Sequence, residues 1–126
     1  VLDTVKRPHA TLFEQRFFTP GCATPQANGF LLEGKRQTAA LVCACCEEAA
    51  LHTADAPLTR PAETPPKMLR QITKLLHEEI VMAALLTPGK RIAKLTVNRA
   101  PREGIDVTIG PGNRRVLRLT RDLLPR

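Results

Sequence analysis

The clearest local pattern in the chain is the stretch Arg91-Ile92-Ala93-Lys94-Leu95-Thr96-Val97-Asn98-Arg99. Apolar residues alternate with polar ones there, which is the period of a β-strand with one buried and one solvated face. Turn residues follow at Pro101 and Gly104, and the alternation resumes over residues 105–109. The pattern predicts two strands joined by a tight turn.

A third strand follows directly. Gly110-Pro111-Gly112-Asn113 is a strong turn signal, and Leu117 and Leu119 then occupy alternate, inward positions. Connections this short join only antiparallel neighbours. Residues 91–120 are therefore predicted to form a three-stranded antiparallel meander.

The same part of the chain carries the net charge. Residues 90–126 contain ten cations and three acids, which gives +7, equal to the formal charge of the whole chain. Residues 1–89 hold the other nine cations and nine acids, and are neutral. A local positive field concentrates anions, so the meander is the expected place for an anionic partner to bind.

The segment before the meander has helical spacing. Thr64 is a suitable N-cap and Pro65 suits the first helical position. Apolar residues then recur at three- and four-residue intervals, and Pro88 and Gly89 end the pattern. The residues of this apolar stripe are Leu69, Ile72, Leu76, Ile80 and Ala83. We predict a helix over 65–86 that packs on the meander.

A second helix is predicted over 37–53. This segment is rich in alanine, lacks glycine and proline, and is apolar nearly all round until Glu47. Such a helix is usually buried. Pro57 and Pro61 then mark residues 54–64 as a stiff, extended internal linker.

The N-terminal third is predicted to contain a β-hairpin. Thr11–Phe18 is one strand, which holds three of the four phenylalanines, and Phe30–Leu32 is the other. A turn-rich loop over residues 19–29 joins them. The predicted fold class is therefore α+β: two helices packed on an antiparallel sheet, in a single domain of residues 1–126.

The cysteines admit more than one interpretation. Cys43, Cys45 and Cys46 lie close to His52, with Cys22 as a further thiol, which resembles a soft-metal or redox cluster. On a helix, Cys43 and Cys46 would share a face, whereas Cys45 would point elsewhere. The sequence has no second Cys-x-x-Cys motif to complete four tetrahedral metal ligands. We expect thiols that pack as small core residues, with no metal and no cofactor.

Catalytic signals are few. No spacing typical of a phosphate loop, a dinucleotide fold, a zinc protease or a hydrolase elbow occurs. The adjacent pairs Glu47-Glu48 and Glu78-Glu79 are interpreted as solvated helix residues that do not face each other. We predict no catalytic residues, so the chain is more simply a binding module than an enzyme.

The expected cellular location follows from three features of the sequence. No apolar run approaches the roughly 20 residues that span a bilayer, and no signal-peptide pattern opens the sequence, so no membrane partner is expected. Adjacent Cys45 and Cys46 argue against a secreted disulfide framework. The cytoplasm is the expected compartment.

The leading hypothesis is a small, basic, non-catalytic module that binds nucleic acid or another polyanion through its meander. Arginine binds phosphate through two parallel hydrogen bonds, and Thr and Asn side chains donate hydrogen bonds to phosphate oxygens. The predicted binding residues are Lys94, Arg99, Arg102, Arg114, Arg115 and Arg118. The meander has no aromatic residue on which a base would stack, so backbone and shape contacts should dominate.

Two other hypotheses stay open at this point. One is a protein-interaction or regulatory module, whose basic sheet docks an acidic protein or whose open edge pairs two copies as a homo-oligomer. The other is a small enzyme or ligand-binding domain built around the Phe-rich hairpin and the cysteines.

Overall fold

The computed structural model describes residues 1–57, 65–90, 94–100, 104–110 and 114–119, with the backbone alone at 99–100, 104–108 and 114–119. Every regular element in these residues is a β-strand, so the predicted α+β class is wrong and the described part of the chain is all-β. The strands are β1 (Leu2–Thr11), β2 (Glu14–Thr19), β3 (Cys22–Gln26), β4 (Gly29–Glu33), β5 (Thr38–Cys45), β6 (Ala49–Asp55), β7 (Lys67–Thr73), β8 (His77–Pro88), β9 (Leu95–Ala100), β10 (Gly104–Ile109) and β11 (Arg114–Leu119).

These strands form three antiparallel sheets. The central sheet has five strands in the order β1-β8-β5-β4-β3. The side sheet has the order β2-β7-β6, and the meander has the order β11-β10-β9. The chain crosses between the central and side sheets at the β1–β2, β2–β3, β5–β6 and β7–β8 connections.

The central sheet is covered on both faces. On one face, Val42 of β5 and Val81 of β8 pack in a cluster with Leu95 and Val97 of the meander. On the other face, Cys43 and its neighbours in β5 pack with residues of the side sheet. The members of that second cluster include Phe30, Leu41, Cys43, Leu69 and Ala84. The core is thus divided between the two faces of one sheet.

This double covering explains why the predicted helix over 37–53 is wrong. The segment forms β5 and β6 instead, and Ala40–Ala44 are buried at five consecutive positions. A strand buried on both faces has a continuous apolar sequence, and periodicity does not distinguish such a run from a buried helix. Tertiary packing overrides the helical preference of the alanines.

The predicted helix over 65–86 is wrong for the same reason. The segment forms β7 and β8, and Ile80–Ala84 are again buried at consecutive positions. Leu76, assigned to the apolar stripe of the helix, lies in the tight connection between the two strands and is 62% exposed. The apparent helical spacing joined residues of two strands that belong to different sheets.

The predicted N-terminal hairpin also differs from the structure. β2 covers most of the Phe-rich segment but pairs with β7 of the side sheet. β4 pairs instead with β3, which lies within the expected loop, and with β5. Gly29 permits this close pairing, since a Cβ there would lie 2.1 Å from the main-chain oxygen of Leu41.

The start of the predicted linker is part of the fold. Ala54 and Asp55 belong to β6, and Ala56 is buried, with its N–H donating to the oxygen of Pro66 at 2.8 Å. Residues 58–64 of the linker lie outside the described residues.

The meander has the predicted three-stranded topology. β10 pairs antiparallel with β9 on one side and with β11 on the other. Leu95 and Val97 are 8% and 4% exposed, which confirms them as inward residues of the first strand. The register between β10 and β11 shifts at Val116, where a β-bulge inserts one residue.

Candidate polyanion surface and adjoining cleft

The predicted binding residues are distributed over two strands of the meander. Lys94 is exposed immediately before β9, and Arg99 lies within β9. Arg114, Arg115 and Arg118 lie in β11. Arg102, the sixth predicted residue, is outside the described residues.

The strand register brings two of these arginines together. Arg118 lies opposite Asp106, which lies opposite Asn98. Arg115 lies opposite Thr108, which lies opposite Thr96. Directly opposed residues share a face of a sheet, and neighbours along a strand alternate between faces. Leu95 and Val97 face the central sheet, so Thr96 and Asn98 lie on the outer face of the meander. Two rows of opposed residues therefore share that outer face: Arg115-Thr108-Thr96 and Arg118-Asp106-Asn98.

Two other predicted residues fall in different rows. Arg99 lies opposite Ile105, and Arg114 lies opposite Ile109. These rows belong to the face of Leu95 and Val97, at the two ends of the sheet. The register therefore separates Arg99 and Arg114 from the outer face.

Three cations in the neutral part of the chain form ion pairs with acids. Arg16 donates to both carboxylate oxygens of Glu14, at 2.6 and 3.1 Å, and Arg70 donates to the same carboxylate. The Arg16 hydrogen bond, followed by the Arg70 interaction, holds the pKa of Glu14 below its ordinary value of 4.5 against an opposing effect of burial. Lys67 pairs with Asp55. These ion pairs belong to the side sheet, away from the meander strands.

The cysteines are arranged differently from the helical prediction. Cys43 and Cys45 lie on the same face of β5, and Sγ of Cys46 accepts a hydrogen bond from the N–H of Val81 at 3.4 Å. Burial raises the pKa of Cys43 to about 11. The interaction with the Cys46 side chain, followed by burial, raises the pKa of Cys45. These thiols are held protonated at neutral pH, which disfavours both nucleophilic and metal-binding roles.

Within the described residues, no group of three or more His, Cys, Asp or Glu side chains is positioned to hold a metal ion. The register places His52 in a row with Arg70 and Arg16, and places His77 opposite Thr11. Neither histidine shares a row with a cysteine in these pairings.

A cleft of about 280 Å³ adjoins the meander, and sequence reasoning did not find it. It lies beside the C-terminal end of β5, beyond the last residue that pairs with β4, and is also lined by β6, β7, β9 and the β3–β4 turn. Its wall is more polar than apolar, and its polar residues are Asn28, Glu47, Gln71, Thr96 and Asn98. They come from four separate segments of the chain, so no local sequence motif identifies them.

No family model, no curated protein and no solved structure matches this chain. Among the residues that the structure describes, no helix is long and apolar enough to cross a membrane.

Proposed function

We propose that this chain is a non-catalytic all-β module that binds nucleic acid or another polyanion through its meander. The observation that carries the proposal is the register of β9, β10 and β11, in which Arg115 and Arg118 occupy the rows of Thr96 and Asn98. Arginine, threonine and asparagine at these register positions carry donor groups that match the acceptors of a phosphate backbone.

The charge distribution supports the same function. The segment that contains the meander has an excess of seven cations, whereas Arg16, Arg70 and Lys67 of the side sheet are paired with acids. Asp106 stands between Arg118 and Asn98 in its row and lowers the local positive charge. We expect moderate affinity that depends strongly on salt.

Recognition should depend on the backbone more than on the sequence of the nucleic acid. All four phenylalanines precede β5, and the chain has no tryptophan or tyrosine. A sheet that reads bases in single-stranded RNA normally stacks them on aromatic side chains. The meander strands lack such a platform.

The two edges of the central sheet are unfavourable for the alternative in which two copies pair through open sheet edges. The edge strands of the central sheet, β1 and β3, contain Pro8 and Pro25. The pairing of β1 is also irregular between Lys6 and Thr11. Prolines and bulges on edge strands obstruct pairing with another chain.

A double charge reversal tests the proposal. Arg115→Glu with Arg118→Glu should weaken binding to mixed-sequence oligonucleotides at least roughly tenfold and leave the thermal midpoint nearly unchanged. The matched control is Lys35→Glu with Arg36→Glu, an exposed basic pair between β4 and β5 that makes the same change in net charge. Equal losses in both double variants would mean that only bulk charge matters, and would overturn the assignment to the meander.

We further propose a reducing, cytoplasmic setting. All four cysteines are free thiols, and Cys43, Cys45 and Cys46 pack within core clusters. Thiols used as core residues are typical of proteins in a reducing compartment. Localisation of a tagged full-length protein by cell fractionation tests this part of the proposal.

A further inference from the structure

The cleft runs along the edge of β9 that faces away from β10. Leu95 and Val97, from one face of that strand, and Thr96 and Asn98, from the other, all line it. The opposite wall is the end of β5, where the pairing with β4 stops at Val42 opposite Gly29. The cleft is therefore continuous with the meander at Thr96 and Asn98, which belong both to its wall and to the outer face.

Three of the polar residues that line the cleft carry side-chain amides. Asn28 and Asn98 are exposed at its rim, and Gln71 is 3% exposed in its wall. The Nε2 atom of Gln71 donates to the oxygen of Ala44 at 3.2 Å and to Oε1 of Gln15 at 3.3 Å. These bonds fix the orientation of the Gln71 side chain. Amides both donate and accept hydrogen bonds, as do the edges of nucleobases.

Glu47 is the only charged residue among the cleft-lining residues that the structure describes. A carboxylate repels phosphate but accepts hydrogen bonds from the N–H groups of a base. The volume is slightly below the roughly 300 to 1,000 Å³ of sites for drug-sized ligands, which suits one small planar group. The wall thus favours a neutral, hydrogen-bonding ligand.

We propose that the cleft receives one unstacked base of a single-stranded nucleic acid whose phosphates lie on the outer face of the meander. This inference rests on the proposed function and names its ligand more narrowly. Two strand spacings of about 4.8 Å separate β9 from β11. Arg115 and Arg118 are therefore roughly 10 Å across the sheet from the rim of the cleft, a span that an extended strand covers within a few nucleotides.

The test measures the affinity of the full chain for two ligands. One is a mixed-sequence single-stranded oligonucleotide, and the other is an abasic phosphodiester strand of equal length. We expect the strand with bases to bind roughly tenfold more tightly, as one or two good hydrogen bonds would give. Asn28→Ala, which removes an amide at the rim of the cleft but outside the meander, should reduce that ratio toward one and leave binding of the abasic strand unchanged. Ala49→Leu, which fills the cleft without a change of charge, should do the same.

Gln37→Ala is the matched control, because it removes an exposed amide before β5, at the end of that strand away from the cleft. Equal affinity for the two strands would overturn the base site and leave the polyanion proposal intact, whereas failure of both strands to bind would overturn both. Nucleoside monophosphates form a third arm. Competition by a mononucleotide as effective as that by the oligonucleotide would identify a free nucleotide as the ligand and overturn the inference of a strand.

Discussion

The side-chain Nε2 of Gln71 on β7 donates a hydrogen bond to the main-chain oxygen of Ala44 on β5, 3.2 Å away. This bond joins the side sheet to the central sheet. The same nitrogen donates to Oε1 of Gln15, at 3.3 Å, on the neighbouring strand β2. Both glutamines are almost completely buried, at 3% and 6% exposure. The core between the two sheets is thus fixed in part by directional polar contacts.

Gln71→Leu should therefore destabilise the fold. The substitution removes both hydrogen bonds and leaves Oε1 of Gln15 without this donor, which costs about 1 to 3 kcal/mol in a buried site. The free energy of unfolding in urea measures the loss. Gln37→Leu, at an exposed position, is the control and should change stability by less than about 0.5 kcal/mol. Equal stabilities of the two variants would mean that the Gln71 bonds contribute nothing.

A pair of aspartate substitutions distinguishes the β-fold from a helix over 65–86. Leu76→Asp should be tolerated within about 0.5 kcal/mol, because Leu76 is 62% exposed. Val81→Asp should cost more than about 3 kcal/mol, because Val81 is 3% exposed beneath the meander. Thermal unfolding followed by far-UV circular dichroism measures both. A large loss from Leu76→Asp would contradict the structure, since the helical stripe makes Leu76 a core residue.

The sequence pattern predicted the meander but not the central sheet, and the reason is physical. Leu95 and Val97 alternate with solvated residues because β9 is covered on one face only. β5 and β8 are covered on both faces, so their apolar runs lack alternation and match a buried helix equally well. The information that separates the two cases lies in distant strands that cover the run.

The acid sensitivity of the side sheet should depend on Glu14. Its pKa is lowered by the hydrogen bond from Arg16 and then by the interaction with Arg70. Because the pKa of Glu14 is lower in the folded than in the unfolded state, its ionised carboxylate stabilises the fold. This stabilisation is fully present when the pH is above the ordinary pKa of 4.5, and it is lost as the pH falls through the pKa of the folded state. Wild-type protein should therefore lose more thermal stability than Glu14→Gln as the pH falls from about 6 to about 3.

Glu33→Gln provides the control for this titration, since Glu33 is an exposed carboxylate at the end of β4. It should leave the pH dependence of the thermal midpoint close to that of the wild type. Parallel curves for wild-type protein and Glu14→Gln would show that the ion pairs of Glu14 do not couple to folding.

Thiol reactivity should separate Cys22 from the other three cysteines. Cys22 is exposed, whereas Cys43 is buried and its pKa is raised to about 11. At neutral pH an aromatic disulfide reagent should titrate one thiol rapidly, and Cys43 should react slower by on the order of a hundredfold or more. Cys22→Ser should abolish the rapid phase. More than one rapid thiol in the native protein would contradict the packing of β5.

The candidate site was predictable in part. Charge segregation in the sequence predicts Arg115 and Arg118 as binding residues, but only the register and the bulge at Val116 separate them from Arg114. The cleft was not predictable, since Asn28, Gln71 and Asn98 meet only after three sheets have assembled. A single polar residue does not reveal a binding site in the sequence when the other residues of the site come from distant strands.

The most direct test of the account is a salt series for binding of the full chain to mixed-sequence single- and double-stranded nucleic acid. The account predicts that the logarithm of the association constant falls linearly with the logarithm of the salt concentration, with a slope of about −2 to −4, or roughly three to five phosphate contacts. A slope near zero, or no binding at low salt, would contradict a polyanion surface on the meander.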